Sequence, residues 1–243
     1  MPTMTARSVV LSVLLGAHPA WARVSELIRL TADFGIRETT LRVALTRMVS
    51  AGDLIRSADG YRLSERLLAR QRRQDEAMRP PTRAWDGNWY ILIVTSVGTD
   101  ARARAALRTS MHRKRFGELR EGVWMRPDNL DLDLERDVAT RVRVLTARDN
   151  APAQLAGQLW DLPGWATVGH QLLDEMAQMT EADDIPGRFG VAAAMVRHLL
   201  TDPMLPEELL PDAWPGARVR AAYHDFATDL AERRHENQLL EAT

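Results

Sequence analysis

The stretch "FGIRETTLRVALTRMVSAGDLIRSADGYRL", Phe34 to Leu63, holds a helical pattern, a Gly-Asp break and a short alternating hairpin. Leu41, Leu45, Met48 and Val49 recur at i, i+4, i+7 and i+8, one face of a helix, with Ala44 at its edge. The opposite face carries Thr39, Thr40, Arg42, Val43, Thr46 and Arg47, a hydroxyl-rich, cationic surface suited to phosphates and base edges. Gly52 predicts the helix end, because glycine tolerates the left-handed conformation of the position after a C-cap. "LIRSADGYRL" then reads as two short strands around Asp59-Gly60, a strong hairpin signal.

Upstream, "VSELIRLTADFGI" sets Val24, Leu27, Ile28, Leu30 and Phe34 for burial by a short helix that begins at Arg23 or Ser25 and ends at Gly35. The predicted order is helix 7–15, helix 25–32, a tight turn at Phe34-Gly35, helix 37–51 and a wing over 54–63, a winged helix-turn-helix. The second helix of such a pair lies in the major groove with its N-terminal residues against base edges. Arg42 and Arg47 would donate to guanine or phosphate, Thr39, Thr40 and Thr46 would supply hydroxyls, Arg37 lies at the entry, and Arg56 and Arg62 flank the wing tip. The competing reading is a winged helix used for protein contacts, with its arginines merely solvated.

Charge distribution favours nucleic acid. The 243-residue chain has a formal net charge of −1. Residues 1–83 hold 14 Arg against 8 acids (+6), and residues 84–243 hold 18 Arg and Lys against 25 acids (−7). Phosphate binding needs such a local cationic excess. Lys114 is the sole lysine. The absence of cysteine excludes disulfides, thiol catalysis, Cys-ligated zinc and Cys-held iron–sulfur clusters, and fits a reducing cytoplasm. "MTARSVVLSVLLGAHPAWA" imitates a short secretory signal, yet its single Arg7 and short apolar run suit a buried first helix better. No apolar run approaches the ~20 residues that span a bilayer.

After the wing, "SERLLARQRRQDEAM" is a charged amphipathic helix, and "RPPTR" is a stiff linker. These place a DNA-binding domain at 1–78 and a linker at 79–84. "WDGNWYILIVTSV" reads as an apolar strand, Thr99 to His112 as a helix, and "ELREGVWMRP" and "TRVRVLTARD" as two further strands, a ferredoxin-like α/β unit over 85–150. Residues 151–243 read as helices. The expected class is α+β.

The chain resembles the PaaX family of transcriptional regulators, the phenylacetate-degradation repressors. The matching stretches are "ARSVVLSVLL", "GIRETTLRVALTRMVSAG", "WDGNWYILIV", "RFGELREGVWMRP" and "RHLLTDPMLPEELLPDAWPGARVRAAY". Within the last, the proline-punctuated "DPMLPEELLPDAWPG" is the most specific. The resemblance implies a winged helix, a central domain similar to small CRISPR-associated nucleases, and a helical C-terminal domain. It also implies a homodimer that represses catabolic genes from a double-stranded operator and is released by an aryl-CoA thioester, typically phenylacetyl-CoA. Arg37 stands where the family commonly places a Ser-type N-cap, so the recognition helix either shifts its start by one residue or uses Thr39 as its cap.

An acyl-CoA needs cations for its phosphates and an apolar slot for its acyl group. "MHRKRFG" supplies His112, Arg113, Lys114 and Arg115, with Trp124, Trp160 or Trp165 as the expected slot lining. The alternative is that the tryptophans are core and the basic run is a helix C-terminal cluster favoured by the macrodipole.

The other class weighed is an enzyme, a metal-dependent nuclease on the central unit. No phosphate loop, G-x-S-x-G or H-E-x-x-H motif occurs, and the six His are scattered without ligand spacing. The related nucleases carry a metal-binding Asp at the end of the first strand, where this chain has Thr95 and Ser96. Asp183-Asp184 and the Asp128, Asp131, Asp133 group could hold a cation, but surface acids are commoner. The reading is therefore a non-enzymatic regulator without catalytic residues, metal or cofactor.

Overall fold

The structure, a computed structural model, describes residues 4–96, 101–179 and 184–239, with side chains of the last stretch as far as Glu232. It is an α+β protein whose contacts divide into two compact units. One comprises Met1–Arg79, Gly169–Leu200 and Gly216–Thr243, the other Pro80–Val168 and Thr201–Pro215.

The first unit opens with α1 (Ala6–Gly16), capped by the Thr5 hydroxyl accepting from the Ser8 amide. Its signal-like run packs as core, with Val9, Val10 and Leu14 fully buried. Then come β1 (Trp21–Arg23), α2 (Val24–Ala32), α3 (Glu38–Ser50), β2 (Leu54–Arg56), β3 (Gly60–Leu63) and α4 (Glu65–Met78). Gln71 of α4 donates through Nε2 to the carbonyls of Leu14, Leu15 and Ala17, at 3.3, 3.1 and 2.8 Å. The terminal carbonyls of α1, which lack helical partners, are thus satisfied by α4.

The wing departs from the expected hairpin in two respects. Its sheet has three strands, ordered β1-β3-β2, because Trp21–Arg23 pairs antiparallel with β3. The loop residues are Ala58 and Asp59 rather than Asp59-Gly60, since Ser57 N–H donates to the Gly60 carbonyl at 2.9 Å. Gly60 already lies in β3, where any Cβ would run into the Ala22 carbonyl of β1. The glycine serves strand approach rather than turn conformation.

The second unit contains β4 (Asn88–Val94), α5 (Ala101–Arg113), β5 (Gly117–Arg120), β6 (Val123–Pro127), α6 (Arg136–Ala139), β7 (Val142–Arg148) and α7 (Pro152–Leu159). All strand pairs are antiparallel, in the order β5-β6-β4-β7, which is the ferredoxin-like β-α-β-β-α-β arrangement. "ELREGVWMRP", expected as one strand, is a hairpin instead: Gly122 at φ 77° turns the chain between β5 and β6. The predicted helix start at Thr99 lies outside the described residues. One cluster packs Leu92, Met111, Phe116, Trp124 and Val138, and another packs Trp89, Met125, Leu155, Leu205 and Leu209.

The helices after residue 150 are α7, α8 (Leu162–Gln178), α9 (Ile185–Leu199) and α10 (Gly216–Leu239). They form no separate compact unit. α9 and α10 pack in the first unit, whereas the proline-punctuated segment joins the second. There Asn129 Nδ2 donates to the Met204 carbonyl (2.8 Å), Asp202 accepts from the Met204 amide (2.8 Å), and Trp214 stacks on Trp165 at 4.3 Å. No helix among the described residues is long and apolar enough to cross a membrane.

Candidate nucleic-acid interface

α3 presents two unlike faces. Leu41, Leu45 and Met48 are buried, while Thr39, Thr40, Arg42, Val43, Thr46 and Arg47 are exposed. Arg37 itself is the N-cap, with extended backbone and no side-chain capping bond, so the helix starts at Glu38 and Thr39 lies in its first turn. Glu38 supplies negative charge where the macrodipole is positive. It also binds Arg42, whose Nη2 lies 2.6 Å from Glu38 Oε1. The Thr46 hydroxyl donates to the Arg42 carbonyl at 3.0 Å. Arg37, Arg47, Arg56 and Arg62 are exposed, and among the described residues none makes an ion pair. Polyanion contact at these side chains therefore requires no internal salt bridge to break first.

Asp53 holds this surface in place, and no sequence pattern singled it out. It follows Gly52, is 2% exposed, and its amide donates to the Met48 carbonyl at 2.9 Å. Its carboxylate accepts from Arg7 of α1 at 2.8 Å and from Arg66 of α4. One buried acid thus ties α1, the end of α3 and the start of α4 around the wing. A groove between α1 and α3 exposes Thr39, Thr40, Val43 and Arg47 beside Arg7. At the wing base, Trp21 Nε1 donates to Ser57 Oγ at 3.0 Å.

The basic run of the second unit is differently disposed. Lys114 Nζ lies 3.2 Å from Asp133, Arg115 adopts φ 64°, and the His112 ring meets Trp124 edge-on at 5.1 Å. Trp124 is 2% exposed and packs in the core beneath Arg108 at 6.0 Å. Trp160 stacks on Trp89 at 6.5 Å, and Trp165 donates to Thr201 at 3.2 Å. Of the run, His112 and Arg113 are exposed. A further cation, Arg126, sits between the Tyr90 and Phe116 rings at 5.5 and 4.9 Å and donates to the Leu130 and Asp131 carbonyls. Burial pushes it down to about 10, so it stays protonated near neutral pH.

The acidic groups are engaged as well. Asp128 and Asp131 both bind Arg83, and Asp184 caps α9 by accepting from Gly187, whereas Asp183 lies outside the described residues. β4 runs out into Thr95, whose amide donates to the Arg141 carbonyl. Among the described residues, no group of three or more His, Asp or Glu converges on a metal-sized position.

Three family models match in order along the chain: PaaX-like protein at residues 5–67, PaaX protein central Cas2-like domain at 82–156, and PaaX-like protein C-terminal domain at 164–238. The transcriptional repressor PaaX of Escherichia coli (strain K12) is 27% identical over 224 residues, covering 81% of this chain and 70% of that protein. The solved structure of the uncharacterized protein Rv0674 from Mycobacterium tuberculosis is 80% identical, with a TM-score of 0.87 over 96% of this chain and 99% of that one. An exposed cationic α3 and wing followed by a four-stranded antiparallel sheet accord with these matches, and the chain belongs to the PaaX family.

Proposed function

We propose that this protein is a transcriptional regulator that binds a double-stranded DNA operator as a homodimer and represses an aromatic-acid catabolic operon. The observation that carries this reading is a set of exposed cations, Arg37, Arg47, Arg56 and Arg62, on a helix-turn-helix and its wing, without an ion pair among the described residues. In this reading the start of α3 enters the major groove, with Arg42 and Arg47 on guanine or phosphate and Thr39, Thr40 and Thr46 on phosphate or thymine. Arg56 and Arg62 meet the backbone or minor groove beside it. A dimer presents two such helices about one duplex turn, or a multiple of it, apart. Residues 1–78 serve as the DNA-binding part, 85–150 as the ferredoxin-like part and 151–243 as the helical part, joined through the linker at 79–84.

The repressor reading extends to release by an aryl-CoA thioester such as phenylacetyl-CoA. The run His112, Arg113, Lys114 and Arg115 is a candidate for its phosphates.

The test is a fluorescence-anisotropy titration of the full chain onto a labelled duplex from upstream of its own coding sequence, with and without phenylacetyl-CoA. Sequence-specific binding that the thioester weakens is the expected outcome. Binding no tighter than to an unrelated duplex would make the winged helix a protein-contact module.

A further inference from the structure

We propose that the half-open cavity lined by α1, α4, α9 and α10 is a binding site for a ligand that joins one apolar ring to an anionic group, and that its occupant acts on the recognition helix. Its volume is about 150 Å3. An engineered apolar cavity of about this size takes up benzene. Val13, Leu15, Phe189, Ala192, Val196 and Phe226 form its apolar lining.

Polar groups converge on it at two places. Within it, Gln74 Nε2 donates to the Tyr223 hydroxyl at 3.3 Å, and burial raises the Tyr223 hydroxyl above its usual value. Tyr223 therefore keeps its proton and can donate it to a carboxylate or thioester carbonyl. At the rim, Arg70 and Arg197 are exposed and make no ion pair among the described residues. Two free guanidinium groups beside a ring-sized cavity recognise a carboxylate or phosphate attached to the ring.

The lining reaches the DNA-binding surface through two contacts. Phe189 meets Phe34 edge-on at 5.1 Å, and Phe34 lies in the turn that leads into α3. One helical turn before Gln74, Gln71 holds the terminal carbonyls of α1. A ring seated between Phe189 and Gln74 presses on the side chains that position the turn and the first helix. Ligand and operator are then coupled to the extent that the ligand prefers one placement of α3.

The site rests on this geometry; the choice of probes rests on the proposed function. The full chain is titrated calorimetrically with phenylacetyl-CoA, phenylacetate and coenzyme A. Binding of a ring-bearing probe, with coenzyme A alone much weaker, is expected. Whether the free acid binds as well as the thioester tells whether the anion is a carboxylate or a phosphate. Ala193→Phe, which fills the cavity, and the surface pair Arg70→Ala/Arg197→Ala should each lower affinity at least about tenfold. Arg72→Ala/Arg73→Ala, at two exposed arginines of α4 outside the lining, should leave it unchanged.

Wild-type affinity in the Arg70/Arg197 variant overturns the proposal even if Ala193→Phe fails to fold. So does an affinity loss confined to the Arg72/Arg73 variant, or no heat with any probe. DNA binding measured in parallel separates the two ideas. A chain that binds its operator but no probe refutes the cavity site, and release by the thioester with it, while the operator reading stands; one that binds phenylacetyl-CoA with wild-type affinity in the Arg70/Arg197 variant refutes the cavity site while release by the thioester stands; and one that binds the ring-bearing probes but no DNA refutes the operator reading alone.

Discussion

Two basic clusters stand out in this chain, one on α3 and the wing, the other at the end of α5, and they differ in what holds their charges. On α3 and the wing, Arg42 is tied to Glu38, while Arg37, Arg47, Arg56 and Arg62 have no ion pair among the described residues. At the end of α5, Lys114 is bound by Asp133, Arg108 by Glu118 at 2.7 Å, and the His112 ring is laid against Trp124. Counting arginines does not separate these regions. The nearby acids do: a cluster partly neutralised by its own fold has less to offer a polyanion than one left to solvent.

This contrast can be broken by substitution. The largest effect belongs to the face of α3 that makes the cluster possible: Leu45→Ala, at a side chain 1% exposed, should lower unfolding free energy by roughly 2–5 kcal/mol. Val43→Ala, on the same helix at 51% exposure, should change it by less than about 0.5 kcal/mol. Equal denaturation midpoints for the two would contradict the facing of the helix.

Asp53→Asn comes next. It weakens a clamp to Arg7 and Arg66, and should lower stability by about 1–3 kcal/mol while also weakening DNA binding. A chemical melt of this variant alongside Arg7→Ala measures it, and a variant as stable as wild type would remove Asp53 as the organiser.

Arg47→Ala and Arg42→Ala should each weaken operator binding by roughly 1–3 kcal/mol with loss of specificity if they read bases, or lower the salt slope by about one if they touch phosphate. The Arg42 loss should be the smaller, because Glu38 competes for that guanidinium. Smallest of all, Arg113→Ala should alter DNA affinity by under about 0.5 kcal/mol. A larger change would place the second cluster on the DNA as well.

The helix α3 was legible because burial repeats along it: Leu41, Leu45 and Met48 face inward at the spacing the sequence displays. The wing was legible in kind but not in detail. Gly60 looks like a turn glycine, yet its role is set by β1, some forty residues earlier, which no local pattern displays. The β5–β6 hairpin was read as one strand because its apolar residues run on across Glu121-Gly122. The packing of Trp124 among Met111, Phe116 and Val138 is not displayed by its local sequence either. The cavity was beyond reach, since Val13, Gln74, Phe189 and Tyr223 meet only when α9 and α10 return to the first unit.

The most direct test of the central claim is the salt dependence of operator binding for the wild-type chain and for the variant with Arg37, Arg47, Arg56 and Arg62 all replaced by alanine. Anisotropy of a labelled duplex from upstream of the coding sequence should show tight wild-type binding, with the variant weaker and its salt slope smaller by up to about four. A folded variant that keeps the wild-type affinity and slope would contradict the assignment of α3 and the wing as the DNA-binding surface.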